Sequence, residues 1–261
     1  NANYILGLLN RKDIPIYSGK AQPLKRKLIN AVVHGDSGLA GADTIDTDYQ
    51  LTGDADRRIF EIVKDNPNEV TILTLGPLTN IARTFLKYPA CPTLINKIIM
   101  MGGAIDVCGN KNRVAEFNIF VDPEAADIVF RSKAIKILVP LDPCNKITLS
   151  LADFECLHGN YLYKPLIRTM KQFLRGLVED EGSKELLVYD ALAAYYLINP
   201  KAFRCLGMDI AVETKGEITR GMTVAEKRKK AVKNNNIEVA VNISQEEFRR
   251  DFFNILKNEV I

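Results

Sequence analysis

A short apolar segment that recurs three times constrains the fold of this chain more than any other feature. Residues 69–75, 95–101 and 135–141 are nearly continuous in apolar side chains, and glycine or proline follows each of them closely. Segments of this length between turn residues are typical of strands that a parallel sheet buries on both faces. The recurrence therefore predicts several parallel strands joined by helical connections.

The segments between these strands carry helix signals. Asp122 is a residue type preferred at an N-cap, Pro123 suits the first helical position, and Glu124 favours the positive end of the helix dipole. Further helices are predicted over residues 163–178, 190–198 and 245–257, and short strands over residues 208–214, 221–224 and 237–241. We predict one α/β domain over residues 1–261, with a mainly parallel sheet and helices on both faces. Ligands of such sheets bind at the edge where the strands end.

The composition excludes several classes of protein. The 261 residues carry 35 Lys and Arg against 32 Asp and Glu, and the net charge of +3 is too small to imply a polyanionic partner. The basic run 226–236 lacks aromatic support and is interpreted as a solvated loop, so we predict no nucleic-acid partner. No apolar run approaches the roughly 18 residues of a membrane helix. Five cysteines without a C-x-x-C spacing, and a start without signal-peptide features, predict a reducing, cytoplasmic location.

Polar loops follow the predicted strands, and each has a structural explanation beside the functional one. His34 stands out because the chain has two histidines, although a lone histidine is more often a structural hydrogen-bonding residue. Asp190 could bind a ligand or simply cap a helix. Asn110, Glu116 and Asn118 form either a set suited to sugar hydroxyls or a loop that caps itself. These residues alone predict a small, hydroxyl-rich ligand at the sheet edge.

The order of the motifs along the chain resembles one known family. The motifs are His34-Gly35-Asp36-Ser37-Gly38-Leu39, Gly76-Pro77-Leu78-Thr79-Asn80, Met101-Gly102-Gly103, Glu116-Phe117-Asn118 with Asp122-Pro123-Glu124-Ala125-Ala126, and Gly221-Met222-Thr223-Val224. Together they resemble the inosine–uridine-preferring nucleoside hydrolases over essentially the whole chain. The resemblance implies a Rossmann-like α/β core, a homodimer or homotetramer, and a Ca²⁺-dependent enzyme. It also implies a small-molecule ribonucleoside substrate, cleaved at its N-glycosidic bond to ribose and a free base.

The resemblance also implies roles for individual residues. Asn110 and Glu116 would hold the 5′-hydroxyl of the ribose, and Asn118 another ribose hydroxyl. Asp190 would ligate Ca²⁺ through its carboxylate. Leu75, where the family usually has Thr, would ligate it through the main-chain carbonyl.

Two catalytic residues are implied near the nucleobase. His34 matches a histidine close to the base, and Tyr189 stands where the family usually has the histidine proposed to protonate the leaving base. A phenol with a pKa of about 10 is a weaker acid than an imidazole with a pKa of about 6.5. The substitution therefore puts leaving-group activation and base preference in doubt.

The family pattern begins with a strand that ends in a D-x-D-x-x-x-D-D cluster, which supplies the general base and most of the calcium carboxylates. The sequence begins at the helix that follows, so we expect the 261-residue polypeptide by itself to lack this first strand–helix–strand segment and to be inactive. A second acidic group is interpreted as a solvated loop and not as a substitute cluster; its members are Asp43, Asp46, Asp48, Asp54 and Asp56.

Two functions therefore compete. The first is a nucleoside hydrolase, favoured by the loop 110–118 and by Asp190. The second is a non-catalytic relative that binds a ribosyl ligand or assembles with other subunits, favoured by the missing aspartates and by Tyr189. An in-frame D-x-D-x-x-x-D-D in the DNA upstream of Asn1 would favour the first.

Overall fold

The computed structural model describes residues 1–31, 52–157, 185–229 and 234–257, together with residues 171 and 231. Within these ranges the α-helices are α1 (Ala2–Leu8), α2 (Ala55–Asp65), α3 (Thr79–Lys87), α4 (Cys91–Leu94), α5 (Phe117–Val121), α6 (Pro123–Arg131), α7 (Leu141–Cys144), α8 (Tyr189–Ile198) and α9 (Gln245–Lys257). Short 3₁₀ helices cover Leu151–Leu157 and Pro200–Ala202.

The described strands are two to seven residues long. They are β1 (Tyr17–Ser18), β2 (Thr52–Asp54), β3 (Thr71–Thr74), β4 (Lys97–Met101), β5 (Lys136–Val139), β6 (Thr148–Leu149), β7 (Leu186–Leu187), β8 (Phe203–Met208), β9 (Ile210–Val212), β10 (Thr223–Ala225) and β11 (Ile237–Ile243). Three two-stranded sheets pair β1 with β2, β6 with β7, and β9 with β10.

Five strands form the central sheet, in the order β3–β4–β5–β11–β8. The pairs β3–β4, β4–β5 and β5–β11 are parallel, and β8 runs antiparallel to β11 at one edge. The mainly parallel sheet predicted from the sequence is confirmed. Because β3, β4 and β5 are parallel neighbours, the loops that follow them lie at the same edge of the sheet.

The central strands are buried on both faces, which explains their nearly continuous apolar sequences. In β4, Ile98 and Met100 belong to one apolar cluster and Ile99 and Met101 to the other, because successive side chains of a strand point to opposite faces. Helices α2, α3 and α6 supply side chains to the first cluster, and α8 and α9 to the second. Helices on both faces are therefore confirmed as well.

The structure differs from the sequence prediction in the C-terminal third. A single strand over residues 208–214 is predicted, whereas β8 ends at Met208 and β9 covers Ile210–Val212. The sequence carries little signal for β8 because Arg204, Leu206 and Gly207 are exposed on this edge strand. The helices predicted over residues 190–198 and 245–257 are confirmed as α8 and α9, and the one over residues 163–178 lies outside the described residues.

The basic run also behaves as predicted where it is described. Residues 226–229, 231 and 234–236 form neither helix nor strand, and Lys227 pairs with Asp106. Among the helices that the structure describes, none combines the length and apolar character needed to cross a membrane.

Candidate active site

The candidate site lies where β3, β4 and β5 end. Leu75 follows β3 and is 41% exposed. Gly102 and Gly103 follow β4 and are buried, and Asp142 lies in α7 directly after β5. Since the three strands are parallel, these residues share one edge of the sheet.

Residues 102–106, here called the glycine turn, are held by side chains from three other elements. Four successive N–H groups donate to them: Gly103 N to Glu116 Oε2 over 3.1 Å, Ala104 N to Thr223 Oγ1 over 3.0 Å, Ile105 N to Asp142 Oδ2 over 3.0 Å, and Asp106 N to Asp142 Oδ1 over 2.7 Å. Gly103 has a φ of +83°, a conformation that favours glycine, and a Cβ there would lie 3.0 Å from Thr223 Cγ2.

The loop before α5 is fixed by its own amides. Asn112 Oδ1 accepts from Ala115 N over 2.7 Å, and Asn110 Oδ1 accepts from Phe117 N over 2.9 Å. Gly109 packs so closely that a Cβ there would lie 2.3 Å from Ala115 N. The loop does cap itself, as one sequence interpretation proposes, and the Asn110 residue stays exposed.

Glu116 is the N-cap of α5 and is 2% exposed. Its Oε1 accepts from Asn118 N over 2.9 Å, and its Oε2 accepts from Gly103 N and from Ile119 N over 3.1 and 3.2 Å. Burial is the largest cause that raises the pKa of Glu116, to about 7, and the charge of Asp190 raises it further. The three N–H groups that donate to the carboxylate lower this pKa, but not enough to offset burial. A positive charge that develops near this carboxyl group would favour its ionised form.

Asn118 lies beside Glu116 and is 8% exposed. Its Nδ2 donates to Met101 O over 3.2 Å and contacts Met101 Sδ at 3.4 Å. The amide is thereby anchored at the end of β4. The structure thus brings Glu116 and Asn118 together at the start of one helix, with Asn110 bonded to the same helix start.

Tyr189 and Asp190 open α8. The N-cap position is Val188, so Asp190 lies in the first turn of the helix, and the interpretation of Asp190 as the cap is wrong. Asp190 is exposed, whereas Tyr189 is partly buried against the apolar cluster on its face of the sheet. After burial, the charge of Asp190 also raises the pKa of both Glu116 and the buried Cys144. Helix α8 packs against β4.

Asp122 is fully buried and connects elements next to the candidate site through its hydrogen bonds. Its Oδ1 accepts from Ala125 N over 3.1 Å, which confirms it as the N-cap of α6. Its Oδ2 accepts from Thr79 Oγ1 over 2.6 Å and from Leu24 N over 2.8 Å. Thr79 begins α3, just after Leu75, so Asp122 fixes the turn after β3 against the junction of α5 and α6.

The interpretation of the second acidic group as a solvated loop is wrong for two of its members. Asp54 is the N-cap of α2 and accepts from Asp56 N over 3.2 Å. Asp56 is 1% exposed, and its Oδ2 accepts from Arg83 Nε over 2.9 Å. A carboxylate can be buried when such a partner compensates it, and the partner here is on another helix. The remaining members of this group lie outside the described residues; they are Asp43, Asp46 and Asp48. The candidate catalytic residue His34 lies outside them as well.

The calcium implied by the resemblance can be tested against the donor atoms. Calcium takes about 6–8 oxygen ligands. Asp190, in the first turn of α8, offers a carboxylate, and Leu75, directly after β3, offers a main-chain carbonyl. In the part of the chain that the structure describes, no group of three or more His, Cys, Asp and Glu side chains could hold a metal ion. These residues alone do not fit a complete calcium site.

Two residues that contact this edge were not among the predicted site residues. Thr223 lies in the motif Gly221-Met222-Thr223-Val224, and Asp142 follows the third apolar segment. Both bond to the glycine turn. A polar residue directly after a buried strand, or inside a glycine-containing motif, was the available signal.

A parallel α/β sheet with buried carboxylate and amide groups at its carboxyl edge is typical of proteins that bind a small ligand at that edge. Known proteins similar to this chain identify the family within that class. The family described as inosine-uridine preferring nucleoside hydrolase matches residues 1–250, and the chain belongs to this family. The resemblance inferred from the motifs is confirmed.

Relatives and solved structures agree with this assignment. The chain is 36% identical over 232 residues to the pyrimidine-specific ribonucleoside hydrolase RihA of Salmonella enteritidis PT4, covering 87% of this chain and 74% of the relative. It is 35% identical over 257 residues to the non-specific ribonucleoside hydrolase RihC of Salmonella paratyphi C, covering 96% and 81%.

A plant nucleoside hydrolase, PpNRh1, has a TM-score of 0.90 at 27% identity, and the match covers 99% of this chain and 84% of that one. A purine-preferring ribonucleoside hydrolase from Gardnerella vaginalis has a TM-score of 0.91 at 26% identity, with the same coverage. The protein is therefore a hydrolase of the nucleoside hydrolase family, and its relatives support ribonucleoside hydrolysis.

Proposed function

We propose that this protein hydrolyses the N-glycosidic bond of a ribonucleoside and binds the ribose between the loop 110–118 and the start of α8. The observation that carries the proposal is the buried pair of Glu116 and Asn118 at the end of β4, with the charge of Asp190 close enough to raise the pKa of Glu116. Carboxylate and amide groups together can accept from and donate to sugar hydroxyls.

Each ribose-binding residue has a distinct task in this proposal. Glu116 and Asn110 hold the 5′-hydroxyl, and Asn118 holds another ribose hydroxyl. As the bond to the base breaks, positive charge develops on the sugar, and the negative charges of Glu116 and Asp190 stabilise it. Groups that are already oriented in a buried site stabilise such charge most effectively, and the backbone bonds of Glu116 orient its carboxylate.

The leaving base is proposed to be assisted by Tyr189 and His34. Tyr189 is partly buried at the start of α8, next to Asp190. A phenol donates a hydrogen bond readily but gives up its proton less easily than imidazolium. Tyr189 therefore assists by hydrogen bonding to the base.

Asp190 and the carbonyl of Leu75 would hold the calcium ion. Such an ion would supply a positive charge that lowers the pKa of nearby water. We propose that the polypeptide of residues 1–261 alone does not release ribose, because its sequence lacks the D-x-D-x-x-x-D-D pattern that the family resemblance implies for the general base and most of the calcium carboxylates. The lack of this pattern and Tyr189 favour the second candidate function, a ribosyl-binding relative without activity.

Ribose release from uridine and inosine tests two proposals: that the protein hydrolyses ribonucleosides, and that residues 1–261 alone do not. The assay compares the polypeptide of residues 1–261 with the full natural chain, meaning residues 1–261 with any in-frame residues that precede Asn1. We expect no release from the first, with or without Ca²⁺, and Ca²⁺-dependent release from the second.

Turnover by residues 1–261 alone would overturn the proposal of an incomplete site. A full natural chain that binds a nucleoside without releasing ribose would instead favour the non-catalytic relative. The homo-oligomer and the cytoplasmic location stay predictions.

A further inference from the structure

The glycine turn is held by two side chains to which the proposed function assigns no task. Thr223 is 1% exposed, and its Oγ1 accepts from Ala104 N over 3.0 Å and donates to Ala104 O over 2.7 Å. One hydroxyl thus satisfies both main-chain groups of Ala104. Asp142 uses both carboxylate oxygens on the N–H groups of Ile105 and Asp106.

The turn links these two side chains to Glu116. Gly103 lies next to Ala104, and its N–H donates to Glu116 Oε2 over 3.1 Å. Glycine at a φ of +83° is free to change conformation, because no Cβ restricts it. The direction of the Gly103 N–H therefore depends on how firmly the following residues are held.

We propose that Thr223 and Asp142 are positioning residues for ribose binding. They hold the glycine turn so that the Gly103 N–H fixes the Glu116 carboxylate toward the ribose 5′-hydroxyl. The inference rests on the proposed function, which assigns Glu116 to that hydroxyl.

The hydroxyl of Thr223 is not needed to hold the hairpin of β9 and β10 in place, so its role goes beyond packing. Gly221 has a φ of +79°, and a Cβ there would lie 2.7 Å from Phe120 Cα. That close backbone contact, together with the pairing of β10 with β9, holds Thr223 in place. The hydroxyl of Thr223 is then available to order the turn.

Selectivity for the 5′-hydroxyl provides the test. Pseudouridine and 5′-deoxypseudouridine carry a base joined through carbon, so neither is hydrolysed, and their Kd values can be measured by calorimetry with the full natural chain. For the unmodified protein we expect removal of the 5′-hydroxyl to weaken binding at least about 10-fold, as for a hydrogen bond to a charged group. In Thr223→Val, which keeps the shape without the hydroxyl, we expect this ratio to fall below about 3-fold.

Two further variants separate positioning from stability. Thr223→Ser keeps the hydroxyl and should retain the ratio. Thr84→Val removes another fully buried hydroxyl, which donates to Asn80 O over 2.9 Å, and should lower stability without changing the ratio. If Thr223→Val does not fold, the same affinity ratio is measured in Asp142→Asn. This substitution replaces one of the two oxygens that accept from the glycine turn by an amide group that donates.

The outcomes distinguish the two proposals. If the unmodified protein discriminates and Thr223→Val, or Asp142→Asn in its place, discriminates equally well, the positioning role is overturned while the proposed ribose pocket stands. If the unmodified protein does not discriminate, the role of Glu116 in the proposed function fails, and the positioning role fails with it.

Discussion

Two of the buried charged side chains that the structure describes are stabilised in different ways. Asp56 pairs with Arg83, whereas Lys136, which is 3% exposed, uses main-chain oxygens. Its Nζ donates to Ser132 O over 2.6 Å and to Ala134 O over 2.8 Å, just past the end of α6. Carbonyl groups compensate a charge less well than a carboxylate does, and burial lowers the pKa of Lys136 to about 8.

This lowered pKa gives stability a specific pH dependence. In the unfolded chain Lys136 keeps its proton up to its ordinary pKa of 10.5, whereas in the folded protein it loses the proton near a pKa of about 8. The unfolded state therefore binds more protons in this window, and stability rises with pH. Relative to Lys136→Met, the unmodified protein should gain about 2 kcal/mol of unfolding free energy between pH 8 and pH 10.

Urea denaturation of both proteins at a series of pH values checks this. Other groups titrate alike in the two proteins, so the difference isolates Lys136. A difference that stays constant across the window would show that Lys136 keeps an ordinary pKa.

The elements predicted most accurately are those with strong local patterns. Helix α9 matches its predicted range, and the three apolar segments contain β3, β4 and β5. The boundaries differ because apolar character continues past the last paired residue. β8 was missed because an exposed edge strand needs no apolar alternation, and its pairing with β11 depends on residues distant in sequence.

Asp122 shows what holds adjacent elements in register. Replacing it by alanine removes the N-cap of α6 and leaves the donors of Thr79 and Leu24 without their acceptor. We expect Asp122→Ala to lower the free energy of unfolding by about 3–5 kcal/mol, from the lost cap and the unsatisfied buried donors.

The matched control is Asp127→Ala, in the same helix. Asp127 makes a surface ion pair with Arg131, and such pairs contribute about 1 kcal/mol or less. Chemical denaturation of both variants measures the contrast, and equal losses would refute the role given to Asp122.

For the molecule as a whole, the candidate site was predictable only in part. Asn110, Glu116 and Asn118 lie close together in the sequence, and motif and resemblance identified them. Thr223 and Asp142 reach the glycine turn from distant parts of the chain, and nothing local in the sequence specifies that approach. The burial of Asp56 could likewise not be predicted from the sequence, because it depends on the position of α3 against α2.

In the proposed function, the buried amide of Asn118, beside Glu116, binds the ribose. The most direct measurement is kcat/KM for ribose release by the full natural chain, compared with Asn118→Ala. The control is Asn96→Ala, which removes an amide that bonds to Thr71 at the opposite end of β3 and β4. We predict a fall of about 100- to 1,000-fold for Asn118→Ala, as for the loss of a group that stabilises the transition state, and no comparable change for the control. An unchanged kcat/KM in Asn118→Ala would show that this amide does not bind the ribose in the transition state.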